Sequence, residues 1–115
     1  MVVHSVRGDE ADRIFQALAD PTRRDILARA IQQEQSVSAL AGHYAMSFAA
    51  VQKHVAVLER AALISKHRRG REQIVRGNAS TLRVAAGLLE TYEQLWIERA
   101  HQIADVLAGE KGDTT

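Results

Sequence analysis

The side chains of this 115-residue sequence that could carry chemistry are few in kind. It has no cysteine, which removes disulfides, thiolate metal sites and thiol redox chemistry together. Five histidines remain as possible ligands or proton carriers. Glu98 and His101 stand three apart, which on a helix puts them on one face as paired ligands would be. The same stretch adds Glu90 and Glu93 but no second histidine, short of a full ligand set, so no metal and no other cofactor is expected. His4, His43 and His67 read as surface residues. There is no Gly-x-Ser-x-Gly elbow, no glycine loop to cradle phosphate, and no close carboxylate pair with an evident pocket. The sequence does not read as an enzyme.

Positive charge is the chemistry that remains. The formal net charge is only +1, but it is unevenly spread. Residues 51–76 hold seven bases (Lys53, Arg60, Lys66, Arg68, Arg69, Arg71, Arg76) against Glu59 and Glu72, a net +5. Residues 77–115 hold three bases and six acids, a net −3. A basic segment of this kind fits a polyanion such as nucleic acid, and the acidic end needs another role. A solvated charged face is the alternative.

These charges need elements to position them. A composition of 46% hydrophobic and 25% charged residues is that of one globular domain, expected over residues 1–108, with 109–115 a disordered tail. No apolar run suits a membrane span, and the first ten residues lack the apolar stretch of a signal peptide, so neither membrane insertion nor export is expected. Apolar residues recur three and four apart, which predicts helices. Ile14, Phe15 and Leu18 mark a first helix. Asp20-Pro21 starts a second, carrying Ile26, Leu27, Ala30 and Ile31, which Gln32-Gln33-Glu34-Gln35 ends. Ser38 is the expected cap of a short third helix with Leu40 and Ala41, and Ser47 that of a fourth.

In the fourth helix Val51, Val55, Leu58 and Ala62 form the expected inward stripe. Phe48, Ala49, Gln52, Lys53, Ala56 and Arg60 fall on other faces. Two short helices joined this way describe a helix-turn-helix, or simply two packed helices. Leu63–Arg68 and Glu72–Arg76 then flank Arg69-Gly70-Arg71 as a two-stranded hairpin, a wing whose tip from Lys66 to Arg71 contains no acid. Its arginines could reach phosphates or a narrow minor groove. From about Ala79 to Leu107 a last helix carries Leu88, Leu89, Tyr92, Leu95, Trp96, Arg99, Ile103, Val106 and Leu107 at helical spacing. Such a face must be buried, on a partner subunit or on its own domain. The fold class is therefore mainly α with a two-stranded β wing.

The runs FQALADPTRRDIL (Phe15–Leu27) and MSFAAVQKHVAVLERAALI (Met46–Ile64), the wing KHRRGREQIVR and the helix LLETYEQLW (Leu88–Trp96) resemble the ArsR family of winged-helix transcriptional repressors. The likeness spans about residues 13–99 and is greatest to the branch without metal-site cysteines. It implies a bacterial cytoplasmic homodimer, associated with the nucleoid through an inverted-repeat operator that it represses, often that of its own operon. The recognition helix would be Ser47–Leu58. Phe48, Ala49, Gln52 and Lys53 would then face base edges: Gln52 an adenine, Lys53 a guanine or phosphate, Phe48 and Ala49 thymine methyls. Ser47 would both cap and meet phosphate, and His54 would make a phosphate contact or a structural hydrogen bond. Lys66, Arg68, Arg69 and Arg71 would carry the wing's DNA contacts.

The expected dimer interface comprises Phe15, Leu88, Leu89, Tyr92, Leu95, Trp96 and Ile103. Arg23 and Arg24 match the family motif and are read first as structural, with a phosphate contact as the second reading. The pattern departs at Ala45 and Ala62, where many members have glycine, which predicts a slightly altered turn. Two other readings stay open: a winged-helix protein-interaction module without specific DNA binding, and a repressor that senses a metal or a small molecule, although nothing in the sequence names an effector.

Overall fold

Side-chain caps set three of the helix starts in this computed structural model, which describes residues 8–112 and their side chains as far as Gly109. After α1 (Gly8–Leu18), Asp20 accepts the Arg23 backbone N–H at 2.9 Å and Pro21 opens α2 (Pro21–Gln32). Proline at that position sacrifices no hydrogen bond. Ser36 Oγ accepts from the Ala39 N–H at 3.0 Å and begins α3 (Val37–Ala41). The expected cap, Ser38, lies inside that helix. The reason is a short strand, β1 (Gln35–Ser36), that leads straight into α3 and places Ser36 at its threshold. Ser47 caps α4 (Phe48–Arg60) as expected, its Oγ 3.1 Å from the Ala50 N–H.

The wing is a hairpin of β2 (Ile64–Arg69) and β3 (Glu72–Gly77), with Arg69 opposite Glu72 and a two-residue turn at Gly70-Arg71. Gly70 has φ +63°, which its missing Cβ makes inexpensive at the first residue of such a turn. β1 pairs antiparallel with β3, so the sheet has three strands in the order β1-β3-β2 rather than two. Two polar residues carry no alternation to announce a strand, which is why β1 escapes a reading by periodicity.

The core unites residues from α1, α2, α3, α4, β2 and β3 with the start of the last helix. Ile14, Ile26, Leu40, Val51, Val55, Leu58, Leu63 and Val75 are all essentially inaccessible. No buried side-chain nitrogen or oxygen lacks a partner among the described residues. Residues up to Ala85 form one compact unit, and the helix from Ala86 onward forms a second. α5 (Ala79–Gly112) is 34 residues long and runs into the segment expected to be a tail. Ala108 and its neighbours are compatible with helix, and the residues beyond Gly112 lie outside those described.

Ala62 departs from the expected inward stripe of α4. It is exposed, at φ +59°, and directly follows Ala61, the C-cap of α4. Its N–H donates to the Glu59 carbonyl at 2.9 Å and the Leu63 N–H to the Leu58 carbonyl at 3.0 Å. That pair of bonds is the Schellman helix end, with buried Leu58 and Leu63 as its hydrophobic contact. The Asn78 side chain adds a hydrogen bond to the Ala62 carbonyl at 2.9 Å. The turn is thus kept with alanine in a left-handed conformation suited to glycine, at a cost of roughly 1–2 kcal/mol. Ala62→Gly should relieve that strain, and the freer unfolded chain should offset part of the gain. The expected net effect is a stabilisation of about 1 kcal/mol, read as a rise of several degrees in melting temperature. A lower melting temperature would show that the positive φ is not strained.

Candidate nucleic-acid interface

α4 can turn one face outward because its other face is fully committed. Val51, Val55 and Leu58 are at most 1% exposed. Helical geometry then turns Phe48, Ala49, Gln52 and Lys53 outward, and all four are exposed. Phe48, at 47% exposure, is unusual for a large apolar side chain on a helix surface. Phe48 and Gln52 line a cleft of 260 Å³ together with Lys66 and Arg71 of the wing, closed by Ser38 and Gln73. The structure therefore gathers the first turns of α4 and the wing around one concavity.

Alternation along the wing divides its charges between two faces. Lys66 and Arg68 share one face, and Lys66 lies 3.6 Å from Glu59 at the end of α4. Arg69 is on the opposite face with His67 and, across the ladder, Arg76. There Glu34, just before β1, binds both arginines: Arg69 Nη2 donates to Oε1 at 2.9 Å, while Arg76 donates to Oε2 from Nη2 at 2.9 Å and Nε at 3.2 Å. These guanidinium groups, Arg76 first, hold the Glu34 carboxyl below its ordinary range. So the tip without acids in sequence meets acids in space. Arg68 donates to the carbonyl of Gly70 at 3.2 Å, and neither it nor Arg71 has an acidic partner among the described residues.

His54 is half-buried, its Nδ1 3.3 Å from Arg23 Nη1 and 3.9 Å from Asp20 Oδ2. A guanidinium only donates, so this contact needs Nδ1 to accept and puts the ring proton on Nε2. Of the two roles open to His54, this geometry supplies the structural hydrogen bond. Arg23 also donates to the carbonyls of Ala17 at 2.9 Å and Gln16 at 3.0 Å, and Arg24 to that of Leu18 at 2.7 Å. The last turn of α1 has no basic residue of its own. The paired arginines satisfy its free carbonyls and its negative dipole end from the next helix. Their place is structural, and the Arg23 chain ties α1, α2 and α4 together.

One tether lay beyond sequence reasoning. In the turn between α3 and α4, the Tyr44 hydroxyl donates to Asp25 Oδ2 at 2.6 Å, and Arg29 Nε donates to the same oxygen at 2.8 Å. The Tyr44 hydrogen bond, then Arg29, lowers the Asp25 carboxyl. Burial, then that bond, pushes the Tyr44 phenol up to about 12. His43 is exposed, its ring edge-on to Tyr44 with centroids 6.3 Å apart, whereas His67 is half-buried beside Arg69. His4 lies outside the described residues.

The second unit presents a different surface. Along α5, Leu89, Tyr92, Leu95 and Ile103 are 52–57% exposed and Trp96 is 75% exposed. Ile97, Val106 and Leu107 extend this apolar surface. Leu88 is only 9% exposed in the single chain, and Phe15 on α1 is half-buried. Glu98 and His101 are exposed, and among the described residues no three His, Asp or Glu side chains are grouped as a metal site. No helix of the described residues is long and apolar enough to cross a membrane.

No family model matches the chain. It is 31% identical over 103 residues to the HTH-type transcriptional regulator Rv2034 of Mycobacterium tuberculosis, covering 90% of this chain and 94% of that protein. A 59-residue match to the transcriptional repressor SdpR of Bacillus subtilis, 34% identical, covers 51% of this chain and 66% of that one. Among solved structures, an ArsR-like transcriptional regulator from Rhodococcus sp. RHA1 superposes with a TM-score of 0.76 at 32% identity, over 85% of this chain and 92% of that one. The homodimeric winged helix-turn-helix DNA-binding domain of Mb0332 from Mycobacterium bovis does so with a TM-score of 0.62 at 25% identity, over 82% and 92%.

The Tyr44–Asp25 bond gives a prediction with two pH limits. Asp25 contributes above its ordinary 3.8 and loses that contribution as the pH falls through its lower folded value. Tyr44 contributes below its ordinary 10.0 and loses it as the pH rises towards about 12. Tyr44→Phe should therefore cost about 1 kcal/mol at neutral pH. Its deficit against wild type, followed by denaturation, should shrink at both extremes. A deficit independent of pH would assign the loss to packing instead.

Proposed function

The chain belongs to the ArsR family of winged-helix transcriptional regulators, and from that premise we propose that it is a repressor acting as a homodimer on an inverted-repeat operator. The observation that carries this reading is the pairing of an outward α4 surface, where Gln52 and Lys53 have no partner among the described residues, with a wing tip whose Arg68 and Arg71 have no acidic partner among them. Two independent elements thus offer hydrogen-bonding, apolar and cationic groups to one ligand. Base edges in a major groove call for the first two, and phosphates for the third.

In this reading α4 lies in the major groove. Gln52 pairs with an adenine, Lys53 with a guanine or a phosphate, and Phe48 and Ala49 meet thymine methyls. Ser47, already bonded as a cap, donates its hydroxyl to a phosphate. Arg71, Arg68 and Lys66 follow the backbone from the wing, and His54 orients Arg23 beneath the helix. The target sites include the promoter of the repressor's own operon, and the setting is the bacterial cytoplasm.

One such unit reads one half-site, so two copies would meet half-sites a helical turn or a multiple of it apart. Leu89, Tyr92, Leu95, Trp96 and Ile103 provide an apolar surface for that pairing, with Phe15 adding a contact from α1. Trp and Tyr are favoured at the buried centres of interfaces. Leu88 belongs to the same stripe and is 9% exposed in the single chain.

Two measurements test these roles. Arg71→Ala should weaken binding to the chain's own promoter fragment evenly across sequences and reduce the slope of log affinity against log salt by about one. Gln52→Ala should leave the slope unchanged and relax discrimination at one base pair, by about 1–3 kcal/mol. Identical behaviour of the two variants would defeat the assignment. Trp96→Glu should sediment as a monomer with undiminished helix content and lose most operator affinity. A dimeric, fully binding Trp96→Glu protein would place the interface elsewhere.

A further inference from the structure

We propose that Glu34 is a positioning residue for DNA binding: an internal stand-in for phosphate that holds Arg69 off the backbone of non-target DNA and releases it to a fully engaged site. The inference rests on the DNA-binding reading above and adds a regulator of the wing to it.

The geometry makes the two arginines unequal. Continuing the β1–β3 register from Gln35 opposite Val75 places Glu34 opposite Arg76, so their contact is a cross-strand pair held by the ladder itself. Arg76 approaches one carboxylate oxygen with two nitrogens, at 2.9 and 3.2 Å. Arg69 comes from the wing tip, 35 residues away in sequence, and holds the other oxygen with a single nitrogen at 2.9 Å. Two cations share one anion, so the group carries one surplus positive charge. If Arg69 leaves for a phosphate, Glu34 stays neutralised by Arg76 and the sheet pairing is undisturbed.

The exchange is also energetically small. Both partners of the Arg69 contact are partly exposed, with Arg69 at 58% and Glu34 at 34%. Exposed ion pairs are weak and are screened by salt. A phosphate offers the guanidinium an equivalent anionic acceptor. Glu34 therefore competes with any DNA backbone for Arg69: it keeps the guanidinium where the phosphate is only loosely placed, and yields it where the neighbouring contacts of a fully engaged site fix a phosphate against the wing. The consequence is a larger ratio of specific to non-specific binding, obtained by weakening the latter.

The test is binding to a random-sequence duplex, titrated with salt, for wild type, Glu34→Gln, Arg69→Ala and the double variant. Glu34→Gln should bind the random duplex up to about fivefold more tightly at low salt, the equivalent of one surface ion pair. Its salt slope should be steeper by about one, because Arg69 then counts as a full phosphate contact. In the Arg69→Ala background Glu34→Gln should add nothing. Independently of how well Glu34→Gln folds, Arg69→Ala in the otherwise wild-type protein should change the slope less than Arg71→Ala does. The proposal is overturned if Glu34→Gln leaves slope and affinity unchanged, if its effect persists without Arg69, or if Arg69→Ala matches Arg71→Ala. Absence of duplex binding by every protein, including wild type at low salt, would overturn the DNA-binding reading along with it.

Discussion

A helix can turn one face towards solvent only if another is held, and in this fold the burial of Val51, Val55 and Leu58 is the constraint from which the rest follows. With these three inaccessible, α4 has no freedom to rotate. Its first turns must present Phe48, Ala49, Gln52 and Lys53, and its last turn must deliver the chain through Ala62 to β2. The core residues opposite them come from α1, α2, α3 and the sheet, so the whole unit serves as a clamp on one helix. Burying eight large or branched side chains at under 2% exposure supplies the hydrophobic free energy for this clamp.

Polar contacts refine what the core places. Arg23 joins the end of α1 to His54 on α4, and Tyr44 joins the helix-turn-helix turn to Asp25 on α2. Both span elements distant in sequence, and both fix the approach of α4 rather than its existence. The wing is governed differently. Its backbone ladder sets the positions of the basic side chains, and acids from outside the hairpin, Glu34 for Arg69 and Arg76 and Glu59 for Lys66, decide which of them stay unpaired among the described residues. A basic segment with a net +5 in sequence thus has fewer free charges in space than its composition implies.

What could be read in advance follows a simple physical division. The caps at Asp20-Pro21 and Ser47, the α4 stripe as far as Leu58 and the hairpin about Gly70 were legible because local spacing determines them. Ser38 was mistaken for a cap because the true one, Ser36, depends on a two-residue strand that exists only through pairing with β3. Ala62 falls on the extrapolated helical stripe, yet the Schellman bonds end the helix at Arg60, two residues earlier. Glu34 offered no local signal at all. Its partners lie 35 and 42 residues away, so only the folded register brings them together.

The side chains of Gln52 and Lys53 make no hydrogen bond or ion pair within the described residues, and that of Phe48 stands half in solvent. Exchanging them therefore disturbs little of the fold, since substitutions at such sites usually alter stability by less than about 0.5 kcal/mol. The surface that would read a sequence is mechanically uncoupled from the scaffold that carries it. Those positions can be exchanged one at a time with the fold kept, whereas a change of size at Val51, Val55 or Leu58 would open or overfill the core.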